Sequence, residues 1–402
     1  MKILFLTLAR IDSIEVQGIY TDLLRKFRDN GHEVTIVSPT ERKYGNKTKY
    51  IQEGGVRILN VWTTNIQKTN LLEKGFTTLF LEFYFYKAIR KYINYIDVDL
   101  ILYSTPPITL TNLIKQLKNA SNAKTYLLLK DIFPQNAVDL KLISPNSILY
   151  KYFRKKEKVL YRISNFIGCM SQANLNYVLE HNPEIIKNKV EVNPNSLEIN
   201  ENTYLPRESV FKKYNIPEDK IIFIFGGNLG APQGVDFLLK HIAYCKSIKE
   251  AFFLIVGNGT EFNKFKDWIE TEDIKNALLI RELPKLEYDE IISFSHVGLI
   301  FLNPNFTIPN FPSRILTYMQ NRLPVICATD LVTDIGEIAV QNNFGFKCLT
   351  SDFESFFYCV VNLLNRDLRE EMGNNGLEFL KNEYSVEKSY IKIVEKTFIL
   401  SE

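Results

Sequence analysis

Apolar positions follow two alternating periods along this chain. Short, nearly continuous apolar runs predict buried strands, and stretches with an apolar residue every three or four positions predict helices. The first set is a strand at residues 1–7, a helix at residues 17–30 that ends at Gly31, and a strand at residues 31–39. This β-α-β order predicts a parallel sheet with helices on both faces.

The same alternation continues through the chain and restarts once. The first half carries further predicted strands at residues 55–61, 99–103, 125–129 and 166–170. After a polar, proline-bearing passage at residues 195–219, the alternation predicts strands at residues 221–227, 251–259, 277–283, 297–303 and 324–329, and helices at residues 235–246, 262–270, 288–294 and 313–322. The chain is therefore predicted to be an α/β protein with two Rossmann-like, doubly wound parallel-sheet domains.

The restart of the pattern sets the predicted domain boundaries. Residues 1–198 form the N-terminal domain, residues 199–385 form the C-terminal domain, and residues 386–402 form a helix that packs back toward the N-terminal domain. Ligands of doubly wound sheets bind outside the carboxyl ends of the strands. The expected site is therefore a central cleft that the two domains face.

Composition narrows the class of protein. The 402 residues are 46% hydrophobic and 24% charged, which is typical of a globular protein with ample core. A net charge of +3 does not suggest nucleic-acid binding, and we expect no nucleic-acid partner. The five cysteines are scattered without metal-ligand spacing, which favours a reduced, cytoplasmic protein. The short apolar N-terminus predicts a strand rather than a signal peptide, and no apolar run reaches the roughly 18 residues needed to span a bilayer.

A glycine-rich turn at residues 225–234 is the first candidate for chemistry. Its sequence FGGNLGAPQG lies between a predicted strand and a predicted helix, and it matches neither GxxxxGK[ST] nor GxGxxG. Glycines at such a turn let backbone N–H groups crowd an anion. They equally allow close packing of a strand on a helix. The turn alone leaves both interpretations open.

The order of motifs around this turn resembles the nucleotide-binding lobe of GT-B glycosyltransferases of family 4. The motifs are VGNGTEF at residues 256–262, IREL at residues 280–283 and FPSRILTYMQNRLPVI at residues 311–326. The first half is similar to the members that build bacterial surface polysaccharides such as capsule and O-antigen. Its matching segments are STPP at residues 104–107, KDIFPQNAVDLKLI at 130–143, MSQANLNYV at 170–178 and VNPNSLE at 192–198.

This resemblance implies a nucleotide-sugar site in the C-terminal domain. Backbone N–H groups of Gly227, Asn228, Leu229 and Gly230 would meet the diphosphate of the donor. Arg314 would supply a bidentate positive charge that the turn lacks, and its alternative is a solvated surface residue. The other candidates are Ser313 as a hydroxyl donor, Arg281 as a phosphate ligand, Leu283 for backbone contact with the base, and Asn258 and Gly259 as lining of the pocket. Arg281 is alternatively a surface residue, and Asn258 and Gly259 alternatively only turn the chain.

Two candidates lie in the N-terminal domain. Asp131 heads the DIFP segment after a strand, where it would hydrogen-bond the acceptor hydroxyl or orient the donor sugar. It is equally well explained as an N-cap or Asx-turn residue before Pro134. Gly18 ends the first loop, where a glycine would let the backbone approach the donor phosphates. We expect Asp131 and Arg314 to be the catalytic residues.

The sequence departs from the family at four positions. Asn228 and Gln233 stand where family 4 commonly has an arginine and a lysine in the opening turn. Pro309 and Thr317 stand where it has a pair of glutamates spaced eight residues apart. No histidine has a partner at useful spacing and no DxD-type motif stands out, so we expect no metal and no cofactor.

Two basic, aromatic segments bear on the acceptor. Residues 80–95 place Phe80, Phe83 and Tyr84 on one helical face with basic residues at its border, and residues 150–162 repeat this composition. Such helices lie on anionic membrane surfaces, although an ordinary amphipathic helix packed on a sheet has the same pattern. Membrane contact would place the protein at the inner face of the plasma membrane and imply a polyprenyl-diphosphate-linked acceptor. A soluble glycan acceptor is the alternative.

The predicted function is transfer of a sugar from a nucleotide-sugar donor, expected to be UDP-linked, to a carbohydrate acceptor, with retention of configuration. Two alternatives remain at this point. A UDP-sugar 2-epimerase on the same fold would need converging carboxylates and histidines, and histidine is scarce here. A non-catalytic adaptor that kept the fold would explain the lost arginine, lysine and glutamates.

Overall fold

The computed structural model describes residues 1–65, 71–199 and 208–399. It divides the chain into two compact units. The first unit is Met1–Glu198 together with Ser385–Glu402, and the second unit is Ile199–Tyr384. The chain therefore leaves the first unit once and returns to it at its C-terminal end.

The first unit is built on an eight-stranded sheet. Its strands are β1 (Lys2–Leu6), β2 (Glu33–Glu41), β3 (Lys49–Glu53), β4 (Val56–Thr63), β5 (Leu100–Ser104), β6 (Lys124–Leu129), β7 (Phe166–Cys169) and β8 (Val190–Val192). Their order across the sheet is β3-β4-β2-β1-β5-β6-β7-β8. All neighbours are parallel except β3 and β4, which pair antiparallel.

Helices cover this sheet. Those that precede the second unit are α1 (Thr21–Asp29), α2 (Leu71–Tyr92), α3 (Thr111–Ser121), α4 (Gln135–Asp139), α5 (Ile148–Ile163) and α6 (Gln172–His181). Helix α1 begins four residues later than predicted, because the preceding residues form a turn. In this turn the Thr21 hydroxyl donates to the carbonyls of Val16 and Gly18, and the Gly18 N–H donates to Asp22 Oδ1 at 2.8 Å.

The second unit is a six-stranded, fully parallel sheet. Its strands are β9 (Ile221–Asn228), β10 (Ala251–Asn258), β11 (Ala277–Arg281), β12 (Val297–Phe301), β13 (Val325–Thr329) and β14 (Gly345–Leu349), in the order β11-β10-β9-β12-β13-β14. Its helices are α7 (Glu208–Tyr214), α8 (Val235–Tyr244), α9 (Phe262–Thr271), α10 (Lys285–Phe294), α11 (Arg314–Gln320), α12 (Ile335–Gln341), α13 (Phe353–Asn362) and α14 (Arg366–Glu383). The last helix of the chain, α15 (Val386–Val394), belongs to the first unit and continues into a π-helical segment at Glu395–Ile399.

The strands form where the chain is continuously apolar, because both faces of each parallel sheet are covered. Strand β12 is buried along its whole length, and so are β5 and β13. Burial of such runs is the main favourable term in forming each unit. In both units the parallel strands end at one edge of the sheet, and the predicted site residues follow those carboxyl ends.

Candidate functional site

The glycine turn after β9 has a backbone that only glycine tolerates well. Gly227 has φ +120°, outside the conformations that side chains usually adopt, and it is exposed. A Cβ on Gly226 would lie 1.7 Å from the hydroxyl of Tyr288. Gly234 has φ +58° and begins α8. These glycines therefore shape the turn and keep its backbone open at Gly227.

The loops that follow β9 and β10 are joined by backbone hydrogen bonds beside this turn. Strands β9 and β10 pair in register, with Gly227 opposite Gly257 and Asn228 opposite Asn258. The N–H of Leu229 donates to the Asn258 carbonyl at 2.9 Å, and the Leu229 carbonyl accepts from the N–H of Glu261 at 2.9 Å. The close approach requires glycine, since a Cβ on Gly257 would lie 1.8 Å from the Gly227 carbonyl oxygen.

This arrangement corrects one detail of the predicted anion cradle. Leu229 is fully buried and its N–H is already bonded to the neighbouring loop, so it does not point to a ligand. The Asn228 side chain is exposed and its Nδ2 donates to Gln233 Oε1 at 3.0 Å, while Gly230 is buried and extended. Asn258 also uses its side chain locally, since its Oδ1 accepts from the Gly259 N–H at 2.9 Å. A Cβ on Gly259 would lie 2.2 Å from the Leu229 carbonyl oxygen, so glycine is needed there for packing.

Arg314 lies directly against the turn. Its guanidinium sits over the Phe225 ring at 4.3 Å, and its Nη2 is 3.5 Å from the position of a Cβ on Gly227. Nη1 is fully buried without a hydrogen-bond partner, and Arg314 has no ion pair anywhere in the part of the chain that the structure describes. Burial lowers the pKa of this guanidinium, although arginine keeps its charge at neutral pH. Burial of a charge without a partner carries a large desolvation cost.

Two tyrosines surround this cation. Tyr318 is fully buried, and its hydroxyl accepts from the Gly226 N–H at 3.1 Å and lies 3.2 Å from the Ile224 carbonyl to which it donates. The hydroxyl of Tyr288 lies over Gly226, and burial raises the pKa of both phenols. Both phenols are therefore neutral at physiological pH and leave the charge of Arg314 unbalanced. Sequence reasoning missed both residues, because nothing in their local pattern distinguishes them from core tyrosines.

The remaining candidates of the second unit lie near the same edge of the sheet. Arg281 is exposed at the end of β11, opposite Gly257 in the register, and its guanidinium lies over the Phe262 ring at 4.3 Å. Leu283 and Ser313 are half-buried. Ser313 occupies the position before α11, and its side chain does not cap that helix. The roles predicted for these residues remain predictions.

The candidate of the first unit, Asp131, lies after the carboxyl end of β6. Its N–H and carbonyl both contact Thr105 Oγ1, at 3.3 and 3.4 Å. Asp131 is exposed to solvent as a residue, and its carboxyl is nevertheless closely surrounded by protein atoms. This loss of hydration raises the pKa of the Asp131 carboxyl to about 6. The carboxyl therefore titrates close to neutrality, as suits a group that exchanges protons.

Residues that the sequence did not suggest accompany Asp131. Tyr20 lies against Phe5 with ring centroids 5.2 Å apart, and burial, with the nearby Asp131 charge, raises its pKa to about 12. Lys130 lies 3.3 Å from the Asn193 carbonyl through its Nζ, and burial lowers its pKa to about 7. Gly18 is half-buried in the same unit, with its N–H engaged by Asp22 as described above, so this donor is unavailable to a phosphate.

Metal ions are held in proteins by clusters of ligating side chains. In the described ranges no three His, Cys, Asp or Glu side chains converge as a metal site would require. The expectation of a reaction without metal or cofactor remains a prediction.

The family and the relative that this chain resembles in sequence are both described as glycosyltransferases. Residues 206–379 match the family described as glycosyl transferases group 1. The probable glycosyltransferase WbjE of Pseudomonas aeruginosa is 25% identical over 320 residues, which cover 79% of this chain and 78% of the relative.

Solved structures agree over nearly the whole chain. The E. coli structure described as trehalose-6-phosphate bound with UDP-2-fluoro glucose superposes with a TM-score of 0.76 at 9% identity, covering 98% of this chain and 99% of the other. WaaG, a glycosyltransferase involved in lipopolysaccharide biosynthesis, superposes with a TM-score of 0.66 at 12% identity, covering 98% of this chain and 99% of the other. The chain thus has the GT-B fold, and within it residues 206–379 match the family described as glycosyl transferases group 1.

Proposed function

We propose that this protein transfers a sugar from a UDP-sugar to a carbohydrate acceptor in the synthesis of a bacterial surface polysaccharide, with retention of configuration. The observation that carries the proposal is Arg314. Its guanidinium is held over Phe225, lies beside the open backbone of Gly227, and has no anionic partner among the described residues. The diphosphate of a nucleotide sugar supplies the missing anion.

The chemistry of sugar transfer explains why a cation is needed there. When the bond between the anomeric carbon and the phosphate oxygen breaks, negative charge develops on the departing diphosphate. A pre-oriented guanidinium in a partly dry site stabilises that charge and lowers the barrier. The two neutral tyrosines beside Arg314 keep its charge available to the leaving group. This picture requires no bound metal, and it extends the family resemblance of the sequence.

A carboxyl with a pKa near neutrality suits the acceptor side of the reaction. We assign to Asp131 a hydrogen bond to the attacking acceptor hydroxyl or to the donor sugar, which its exposure and its pKa of about 6 support. At pH 7 and above the carboxyl is mainly ionised and accepts such a hydrogen bond. Below pH 6 it becomes protonated and loses that capacity.

A UDP-linked donor is favoured by resemblance. The similar E. coli structure was solved with UDP-2-fluoro glucose, and its superposition covers 98% of this chain. The Arg314 site itself recognises diphosphate chemistry and does not select among bases. The choice of uracil is therefore the finer part of the proposal.

The acceptor is proposed to be lipid-linked because of the surface of the first unit. Phe80 and Phe83 of α2 are 43% and 57% exposed, and Ile148 at the start of α5 is 87% exposed. On the same helices Lys87, Arg90, Lys151 and Lys155 are also exposed. Exposed apolar residues bordered by basic ones suit the surface of an anionic membrane. No helix within the described residues has the length and apolar character to cross a membrane.

The donor site is tested by titration calorimetry with UDP, GDP, ADP and CMP. We expect selective binding of UDP to the wild-type protein. Arg314→Ala should weaken that binding about tenfold or more, equivalent to about 1.4 kcal/mol. Arg314→Lys should recover only part of the affinity, since lysine keeps the charge and loses the bidentate fork.

A matched control separates the site from general charge effects. Lys275→Ala removes a side chain that is 82% exposed in the same unit and should leave UDP affinity unchanged. UDP binding that is indifferent to Arg314→Ala would remove this arginine from the donor site while keeping a transferase. Absence of binding to every nucleotide, from protein with a normal thermal transition, would favour a non-catalytic adaptor.

A further inference from the structure

A cavity lined by three arginines lies in the second unit, away from Arg314. It has a volume of about 640 Å³ and is lined by Arg322, Arg366 and Arg369, with Glu370 as its lining carboxylate. His296 also lines it, just before β12, and Arg322 precedes β13. The cavity is therefore at the amino ends of these strands, whereas Arg314 contacts the carboxyl end of β9. Because a strand of five residues spans about 17 Å, the two sites are separate.

The positive charges of this cavity are poorly balanced. Arg366 Nε donates to Glu370 Oε1 at 2.7 Å, and the charge of Asp367 also acts on Arg366. The Arg322 side chain has no hydrogen bond or ion pair among the described residues. Arg369 Nη1 donates to two neutral groups, the carbonyls of Leu363 and Leu364, at 2.7 and 2.9 Å.

The pKa shifts of Arg369 and His296 agree with an excess of positive charge in the cavity. Burial, and then the charge of Arg366, lower the pKa of Arg369. Burial, and then the charge of Arg369, lower the pKa of His296 to about 4, so its ring is neutral at physiological pH. The His296 Nδ1 accepts the N–H of Ile222 at 3.0 Å, which the neutral ring allows. The cavity is thus lined by three guanidinium groups and one carboxylate, Glu370, with Asp367 nearby as a second negative charge on Arg366.

Packing and hydrogen bonds fix the Arg322 backbone and the Arg369 side chain before any ligand arrives. A Cβ on Gly373 would lie 2.0 Å from the Arg322 carbonyl oxygen, so α14 packs directly on the Arg322 backbone. Arg322 itself has φ +55°, a conformation that this contact supports. Arg369 is anchored by its two carbonyl bonds. The Arg369 guanidinium, fixed in this way, loses little freedom on binding a ligand, which favours affinity.

We propose that this cavity binds a phosphate-bearing small molecule. Guanidinium groups match the geometry of phosphate oxygens, and several in one cavity neutralise a doubly charged group. The volume lies within the usual range of small-molecule sites, about 300–1,000 Å³, and exceeds what a lone phosphate ion fills. Ser295 and Asn374 add neutral polar groups to the lining for the rest of the ligand.

Inorganic pyrophosphate is the probe, titrated by calorimetry at low ionic strength. The Arg314→Ala protein is the starting material, so that the donor site does not contribute. We expect saturable binding to this protein. In the same background, the double substitution Arg322→Gln and Arg366→Gln should weaken binding tenfold or more, while Lys275→Gln should leave it unchanged. Both arginines are exposed, so the double variant is expected to fold, and its thermal transition checks this.

The outcomes discriminate clearly. Weakening confined to the double variant supports the cavity, whatever UDP does at Arg314. Absence of saturable binding in the Arg314→Ala background overturns the proposal, and so does equal binding by the double variant. Loss of co-sedimentation of the double variant with phosphatidylglycerol vesicles, together with a flat pyrophosphate titration, would assign the arginines to a lipid surface and also overturn it.

Discussion

Glycine is required at several positions of the second unit, either by the backbone conformation or by what lies directly above the Cα. At Gly227 the requirement is conformational, and at Gly257 and Gly259 it is the approach of a neighbouring backbone. The sequence indicated a glycine turn and left open whether it serves an anion or packing. The structure shows that packing explains Gly257 and Gly259. The conformation of Gly227, beside an unpaired arginine, leaves room for the anion as well.

The prediction that follows concerns Gly257→Ala. The added Cβ would meet the Gly227 carbonyl oxygen at 1.8 Å, and a backbone atom cannot rotate away. We expect a loss of about 1–3 kcal/mol in the free energy of unfolding of the second unit, as in other overpacked sites. Because relief of the clash displaces Gly227, UDP affinity should also fall. Denaturant unfolding and calorimetry measure the two effects.

Gly376→Ala is the matched control for this substitution. Its Cβ would meet the nearest atom, Phe344 Cβ, at an ordinary 3.4 Å, and it lies within α14. Alanine favours the helix over glycine by about 1 kcal/mol, so the variant should be as stable as the wild type or more so. Equal losses in both variants would contradict the clash argument.

Candidate functional side chains differ in how well they could be predicted from the sequence. Arg314 was predicted from the order of motifs, and the structure brings it to the glycine turn as expected. Tyr288 and Tyr20 were not predicted, because each reaches its site through packing between elements distant in the chain. Lys130 escaped notice because its low pKa arises from burial, which one sequence does not display. The position of a residue in a motif can be recognised in one sequence, whereas its burial and its neighbours in the fold cannot.

Elements were predicted best where the apolar run was long and the flanks were clear. The strands β10, β12 and β13 lie within the predicted ranges, and β9 extends one residue beyond its predicted end at residue 227. Strand β3 was missed because Lys49–Glu53 is polar and exposed, as an edge strand often is. The pair Gly54–Gly55, with φ of +53° and +80°, is a hairpin signal that identifies it in retrospect. Strands β8 and β14 and the helices α12, α13 and α14 were likewise not assigned from the pattern.

Helix α5 carries the prediction that belongs to this scale. Its cap at Ser147 holds the first turn, and beyond it Ile148, Lys151, Tyr152 and Lys155 are all exposed. If this face lies on a membrane, Lys155→Gln should weaken binding to anionic vesicles about fivefold, since each basic residue near such a surface contributes about 1 kcal/mol. Ile148→Glu should weaken it more. Vesicle co-sedimentation measures both, and the effect should shrink as salt is raised.

The comparison for α5 is Lys49→Gln, on the polar edge strand β3 of the same unit. It removes one exposed positive charge without touching α5 and should leave vesicle binding unchanged. A decrease as large as that of Lys155→Gln would show that net charge alone governs binding. Binding that is equally strong to vesicles of zwitterionic lipid would contradict an electrostatic contribution.

At the scale of the whole molecule, the chain forms two units. It passes from the first unit to the second after Glu198 and returns to the first at Ser385. The pattern predicted the restart near residue 199 and a terminal helix that packs on the first half. In the structure α15 packs on α1 through Ile393 and Tyr390, with the Tyr390 ring 5.0 Å from Phe27. The Tyr390 hydroxyl lies 3.0 Å from His32 Nε2. These contacts are long-range in sequence, so periodicity alone did not identify the partners of α15.

The units should therefore respond separately to core substitutions on either side of Tyr384. Leu380 and Ile393 are both fully buried and only thirteen positions apart, but Leu380 belongs to the second unit and Ile393 to the first. Each change to alanine should cost about 2–5 kcal/mol in its own unit, because a buried cavity is left behind. Amide hydrogen exchange measures the stability of each unit separately. A single melting temperature does not distinguish the two units. Ile393→Ala should speed exchange in β1 and α1 and spare β9 and β12, and Leu380→Ala should do the reverse. Uniformly faster exchange in both variants would mean that the two units unfold as one.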